Sequence, residues 1–312
     1  MRIALVDPSG ATRSHVAGLL KARGHEVLNF ADEQATLLRI EADPLVEALI
    51  TGDELKAMSG LELCWETRLL ATYRRPIYVL FMSSDGSHRT LIEALDSGAD
   101  DFIGKPPLAE ELYARLRAAE RIASMQRELI RLATIDPLTG VCNRRGFFEQ
   151  ATEACERAVA TGELSAIILD IDNFKRINAA YGHDTGDQAI RACARTAAIK
   201  EGLVGRLGGD EFAMLLEHRT LPQAIEIAED VRLKLAERPI ETDKGAITLT
   251  CSIGVSECAA GDTIDELLRR ADAALYDAKA GGRNRVVGAH ASLLASLSAN
   301  PQPPGITRAV AR

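Results

Sequence analysis

Residues 203–217 read Leu-Val-Gly-Arg-Leu-Gly-Gly-Asp-Glu-Phe-Ala-Met-Leu-Leu-Glu. Two short apolar runs, Val204–Leu207 and Glu211–Leu216, flank Gly208-Gly209, and a glycine pair between such runs signals a β-hairpin. The turn carries Asp210 and Glu211, and its glycines let backbone approach a ligand closely. Upstream, Leu164–Ile171 is an apolar strand that also ends in acids, Asp170 and Asp172. If strand and hairpin are neighbours, the carboxylates of Asp170, Asp210 and Glu211 converge. Carboxylates at repulsive distance call for a cation, and an all-oxygen ligand set selects Mg²⁺ or Mn²⁺. Such a site commonly holds metal-bound phosphates. Acids in a hairpin are more often solvated turn residues, so spacing alone leaves both readings open.

Working outward from the hairpin, Asp136-Pro137 opens a turn, and a helix is expected from Arg144 to about Ala160. Further helices are expected over Phe174–Ala180, from near Gly186 to Ile199, over 222–237 and over 263–280, the last closed by Gly281-Gly282. Ala246–Val255 reads as a strand and Val286-Val287 as a last one. This predicts an α/β domain over 134–288 with a mostly antiparallel sheet. Residues 1–120 read differently. Apolar runs at Arg2–Val6, Val27–Phe30, Leu45–Thr51, Pro76–Met82 and Asp101–Ile103 alternate with helical stretches at Ser14–Ala22, 33–41, Gly60–Leu70, His88–Ser97 and Leu108–Arg117. That alternation predicts parallel βαβ units in a doubly wound sheet, whose functional residues collect at the carboxyl ends of strands. Asp7, Ser83 and Lys105 fall at such ends.

Between the two, 108–135 runs without glycine or proline after Leu108. Ile122, Met125, Leu129 and Leu132 follow a 3-4-3 spacing, with Leu116 further back, which is a coiled-coil seam. It suits a homodimer, though a helix packed on its own chain fits the same pattern. From 289 to 312 the chain is rich in Ala, Ser and Pro and reads as a flexible tail. A short helix is expected at 290–298.

The bulk properties narrow the function. With 312 residues, 37 Lys+Arg against 45 Asp+Glu and a net charge of −8, a broad electrostatic grip on nucleic acid is excluded as an expectation. No apolar run approaches a membrane span, and Met1–Gly10 turns polar too soon for a signal peptide. The six cysteines form no CxxC pair, which suits a reduced, cytoplasmic protein.

Gly208-Gly209-Asp210-Glu211-Phe212 resembles the name-giving motif of the GGDEF family, the diguanylate cyclases. The resemblance covers the whole second domain through Asp136-Pro137-Leu138-Thr139-Gly140, Leu169-Asp170-Ile171-Asp172-Asn173-Phe174-Lys175, Tyr181-Gly182-His183-Asp184, Ser252-Ile253-Gly254-Val255, Asp272-Ala273-Ala274-Leu275-Tyr276 and Gly282-Arg283-Asn284-Arg285. It implies condensation of two GTP into cyclic di-GMP and two pyrophosphates, with one GTP per domain and attack across a dimer. It further implies that Asp170, the Ile171 carbonyl and Asp210 bind Mg²⁺ or Mn²⁺. Glu211 would help bind metal or deprotonate the attacking hydroxyl, and Asp210 and Glu211 would be the catalytic pair. Asn178 and Asp187 would read guanine, Lys279 and Arg283 would hold the triphosphate, and the Asn173, Phe174 and Gly209 backbone would face phosphate. The family's primary product site is an Arg-x-x-Asp, replaced here by Ile199-Lys200-Glu201-Gly202, so weak or absent product inhibition is implied there. A non-catalytic GTP or cyclic di-GMP sensor, or a scaffold, is the alternative.

The first domain resembles the receiver of two-component response regulators, on Val6-Asp7, Met82-Ser83-Ser84 and Ser97-Gly98-Ala99-Asp100-Asp101-Phe102-Ile103-Gly104-Lys105-Pro106. It departs where receiver chemistry lives. Pro8 replaces an acid, and counting back from Gly60 the phosphoacceptor position falls on Gly52. Asp53 stands one residue late, which on a strand turns a side chain to the other face. The expectation is a pseudo-receiver with no phosphoacceptor, serving as a module for dimerisation or for docking of a regulatory protein; phosphorylation at the displaced Asp53 is the alternative.

Overall fold

The strands of the first segment are apolar on both faces, and such strands need cover on both sides. In the computed structural model they receive it. Described are residues 1–72, 74–161, 163–198, 202–242 and 245–289. Ile199, Lys200 and Glu201 of the Ile199–Gly202 product-site window lie outside these residues, as do 290–312 with the expected short helix. The chain divides into a unit of Met1–Arg131 and one of Leu132–Arg312, and each is described by itself.

The first unit runs β1 (Arg2–Val6), α1 (Gly10–Lys21), β2 (Glu26–Phe30), α2 (Glu33–Ala42), β3 (Ala48–Gly52), α3 (Gly60–Leu70), β4 (Tyr78–Ser83), α4 (His88–Asp96), β5 (Asp101–Gly104) and α5 (Ala109–Thr134). Its sheet has the order β2-β1-β3-β4-β5, with every pairing parallel. One core packs Ile3, Leu5, Ile50 and Leu80 against α1 and α5, and the other packs Ala4, Leu49, Val79 and Phe81 against α2, α3 and α4. The helices begin where short polar side chains cap them. Ser9, Asp32, Ser59 and Ser87 each accept from a backbone amide of the first turn. Ser9 therefore starts α1 four residues before the apolar pattern suggests.

Helix α5 has two faces. Leu112, Leu116, Ala119 and Ala123 are buried in the first unit's core, whereas Ile122, Met125, Leu129 and Leu132 are 44–66% exposed. The seam thus has an exposed face as expected, but Leu116 does not belong to it. It lies on the other face of the helix and is used up by the core.

The second unit adds β6 (Cys142–Asn143), α6 (Arg144–Thr161), β7 (Leu164–Ile171), α7 (Phe174–Tyr181), α8 (His183–Ala198), β8 (Leu203–Gly208), β9 (Glu211–Glu217), α9 (Leu221–Ala236), β10 (Cys251–Glu257), α10 (Ile264–Ala280) and β11 (Val286–Ala289). The sheet order is β11-β10-β7-β9-β8-β6. The three central pairings are antiparallel and the two outer ones parallel, so the sheet is mixed. Helices α8 and α9 cover one face around Phe212, Met214 and Ile253, and α6 and α10 cover the other around Phe147, Ile168 and Leu275. A β-carbon on Gly254 of β10 would lie 2.0 Å from the Ala271 carbonyl oxygen, so the bare strand is what lets α10 settle on the sheet. Residues 246–250 are not part of β10. There only Ile247 forms a bridge, to Ile240. Among the described residues no helix is long and apolar enough to cross a membrane.

At the carboxyl ends of the parallel strands, the first unit gathers four polar groups. Lys105 Nζ lies 2.8 Å from Asp7 Oδ2 and 2.8 Å from Asp53 Oδ1. The Ser83 hydroxyl donates to Asp53 Oδ2 at 2.6 Å. The expectation that Asp53 faces away is therefore wrong. Strand alternation ends with β3 at Gly52, and Asp53, one residue beyond, swings its carboxylate into the cluster. Gly52 itself does point inward, since a β-carbon there would meet Asp7 Oδ2 at 2.5 Å and Lys105 Nζ at 2.6 Å. The loop that follows is held from below by buried Glu33, which accepts from the Ala57 and Met58 amides.

Burial by itself would raise the pKa of Asp53, but the Lys105 ammonium and the Ser83 hydroxyl outweigh it and hold the carboxyl at about 2. A carboxylate depressed in the folded state stabilises that state above its unfolded pKa, and the benefit fades as pH falls through the folded value. The drop from 3.8 corresponds to about 2 kcal/mol. Asp53→Asn should therefore lower stability by about that amount at neutral pH, with the gap to the parent chain narrowing as pH falls from about 5 through 3. The single tryptophan, Trp65, sits on α3, so urea titrations read by its fluorescence follow this unit. A gap that stays constant over that pH range would show that the carboxylate is not charge-paired.

Candidate active site at the β7–β9 strand ends

Antiparallel register fixes the centre of the site. Asp170 on β7 stands opposite Glu211 on β9 and opposite Ser252 on β10. Residues directly opposite share a face, so the two carboxylates lie side by side at one end of the sheet. Asp210 is in the turn between β8 and β9, where a register shift between Arg206 and Gly208 breaks the ladder and Gly209 adopts φ 53°. Its carbonyl accepts from the Ile171 amide at 3.4 Å, which binds the turn to the end of β7.

Lys279, in the last turn of α10, places its ammonium 2.9 Å from Asp170 Oδ2. Burial pushes the pKa of Asp170 up; Lys279 opposes this and the Asp210 charge adds to it. Glu211 is also raised, by burial first and then by Asp272 and Asp170. The acids thus stand close enough to strain one another electrostatically. Yet among the described residues no three of His, Cys, Asp or Glu are gathered closely enough to hold a metal ion. The elements converge as expected, but no three-carboxylate cage stands ready among the described residues, and Lys279 holds one oxygen of Asp170. The donor chemistry still fits a hard cation: two half-buried, mutually repelling carboxylates and a strand-end carbonyl at Ile171, all oxygen.

Around this centre, α7 begins abruptly. Asn173 takes a left-handed conformation with φ 56°, and no side chain caps the helix. The Asn173 and Phe174 amides therefore head a helix N-terminus, a ready place for an anion. Asn178, also on α7, is half-buried, and its Oδ1 has no hydrogen-bond partner. That oxygen packs on α8 at Gly186, where a β-carbon would meet it at 1.9 Å. Asp187 follows on α8, also half-buried. The orphaned Asn178 oxygen wants a polar partner, since buried polar groups are otherwise satisfied. Arg283 is exposed, at φ 62° in the turn after α10.

Two braces carry no obvious signal in the sequence. Asp172 is 5% exposed and accepts from Thr250 at 2.8 Å, Ser252 at 2.7 Å and the Asn284 amide at 3.0 Å. It ties the turn bearing Arg283 to the end of β7. Its place two residues after Asp170 marks it as an acid, but its partners lie roughly 80 and 112 positions away. Arg206 donates to the Gly209 carbonyl at 2.8 Å and pairs with Asp136 at 3.2 Å. It braces the acidic turn against the segment that opens the unit.

Comparison with known proteins agrees with this geometry. Residues 133–285 match the family described as diguanylate cyclase, GGDEF domain, and residues 3–117 match the response regulator receiver domain. The chain is 33% identical over 301 residues to the response regulator PleD of Caulobacter vibrioides, covering 92% of this chain and 65% of that protein. It is 35% identical over 290 residues to the diguanylate cyclase DgcM of Escherichia coli O157:H7, covering 86% and 70%. A crystal structure of the coiled coil and GGDEF domain of DgcB from Caulobacter crescentus in complex with c-di-GMP superposes with a TM-score of 0.53 at 34% identity, over 57% of this chain and 99% of that one. The chain thus spans about two thirds of the length of these curated relatives, and it belongs to the GGDEF diguanylate cyclase family, with an N-terminal response regulator receiver domain.

Proposed function

We propose that the chain is a diguanylate cyclase that joins two GTP into cyclic di-GMP and releases two pyrophosphates, working as a homodimer in the cytoplasm. One observation carries the reading: Asp170 and Glu211 stand in register at the strand ends beside the Gly209 turn, with Lys279 reaching in from α10. Asp170, the Ile171 carbonyl, Asp210 and Glu211 would hold Mg²⁺ or Mn²⁺, which when bound polarises phosphate and lowers the pKa of a coordinated hydroxyl. Lys279 and Arg283 would hold the triphosphate, with the amides of Asn173, Phe174 and Gly209 turned to phosphate oxygens. Asn178 and Asp187 would read guanine. A carboxylate accepts from the two N–H groups on the guanine edge and is left unpaired by adenine, so the wrong base is rejected strongly. The 3′-hydroxyl of the second copy's nucleotide attacks the α-phosphorus, pyrophosphate leaves, and Glu211 accepts the proton or completes the cation's ligands.

The exposed seam of Ile122, Met125, Leu129 and Leu132 supports a dimer, because apolar side chains at a 3-4-3 spacing pair readily with a second helix. The receiver-like unit is read as degenerate, serving for dimerisation or for docking of a regulatory protein. Supporting this, Gly52 stands where an acceptor carboxylate belongs, and Asp53 is already engaged by Lys105 and Ser83.

Incubated with GTP and Mg²⁺, the purified chain should make a dinucleotide of cyclic di-GMP mass, with specific activity rising with protein concentration. Glu211→Gln should lower turnover at least about 100-fold with an unchanged circular dichroism spectrum. Near-parental activity in that variant removes Glu211 from the mechanism. Acetyl phosphate should neither raise the rate nor add phosphoryl mass. A mass gain on Asp53 with a faster rate contradicts the degenerate receiver.

A further inference from the structure

The second unit pairs several of its arginines with carboxylates: Arg157 with Glu217, Arg206 with Asp136, Arg232 with Glu229, Arg270 with Asp262. Among the arginines without a carboxylate partner in the described residues, three line one groove. Arg191 and Arg195 come from α8, and Arg238 from just past the end of α9. Arg191 and Arg195 are four residues apart, so they stand on one helix face about one turn, or 5–6 Å, apart. Arg238 lines the same groove, and Leu235, Pro239 and Ile240 give its lining apolar surface.

The groove has a volume of about 590 Å³. That is within the range of small-molecule sites, roughly 300–1,000 Å³. None of its lining residues belongs to the carboxylate site. In a chain of net charge −8, three unneutralised guanidiniums around one cavity are a local reversal of the protein's own field. Like charges held together without counter-charge repel, and an anion bridging them removes that cost. Guanidinium forks match phosphate oxygens in bidentate fashion, and an apolar floor beside them suits the face of a planar ring.

We propose that the α8–α9 groove is a second ligand site, separate from the β7–β9 strand ends, for a phosphate-bearing anion of nucleotide size. The phosphates bridge Arg191, Arg195 and Arg238, and the less polar part of the ligand lies on Leu235, Pro239 and Ile240. The site follows from the groove alone; only the choice of probes rests on the cyclase reading, which names GTP, pyrophosphate and cyclic di-GMP as the phosphate anions at hand.

The test is titration calorimetry of the full chain with each of these three compounds, beside the Arg191→Ala, Arg195→Ala, Arg238→Ala triple variant. At least one probe should bind the triple variant about tenfold or more weaker than the parent, while turnover at saturating GTP is retained. Pyrophosphate binding as tightly as the nucleotides assigns the site to phosphate alone; preference for GTP or for cyclic di-GMP assigns it to that nucleotide. Exchanging the three for lysine keeps the charge but loses the fork, and should give an intermediate affinity. Arg238→Ala alone, an exposed change, provides the same reading if the triple variant does not fold. Equal affinity of parent and variants for all three probes, or no binding beyond the catalytic site, overturns the proposal. Arginine-dependent binding in a chain that makes no dinucleotide would instead leave the groove standing and bring down the cyclase reading.

Discussion

The arrangement at the strand ends depends on one constraint, the antiparallel register of β7 with β9. With Asp170 opposite Glu211, two carboxylates that repel each other are forced onto one face, and neither can move to the other face without slipping the strand by one residue. The repulsion is then answered from outside the sheet. Lys279 reaches Asp170 from α10, and α10 comes near enough because Gly254 leaves β10 bare beneath it. The ion pair answers one acid, Asp170, while Glu211 stays raised.

The same logic, with the opposite outcome, governs the first unit. There Lys105 meets two carboxylates, Asp7 and Asp53, and a hydroxyl completes the set. Lys105 and Ser83 together hold Asp53 at about 2, whereas burial leaves Asp170 and Glu211 of the second unit raised. In one cluster the neighbours outweigh burial for Asp53; in the other they do not.

Much of this was legible in the sequence because local patterns carried it. The alternation of strands and helices predicted the parallel sheet, and the glycine pair predicted the hairpin, while its place beside β7 was only a condition until the register supplied it. What escaped did so for identifiable reasons. Asp53 was misplaced because strand alternation was carried one residue beyond the strand's end. Leu116 was assigned to the seam because its spacing fits, yet a helix that serves a core and a free face at once has two stripes, and spacing alone does not say which residue joins which. Residues 246–250 were read as strand on apolar content, but they have no neighbour to pair with beyond one bridge. Asp172 and Arg206 look like ordinary charged residues until distant segments come to meet them. The arginine groove is of the same kind, since it exists only where α8 and the end of α9 come together.

The central claim is that the strand-end acids exchange their protein counter-ion for a cation and a nucleotide. A crystal structure of the chain with Mg²⁺ and a non-hydrolysable GTP analogue addresses it directly. The account predicts a cation about 2.1 Å from carboxylate oxygens of Asp170 and Asp210, with the Lys279 ammonium moved off Asp170 and onto the phosphates. A nucleotide bound away from these acids, with the Asp170–Lys279 pair intact and no cation between the strand ends, would contradict it.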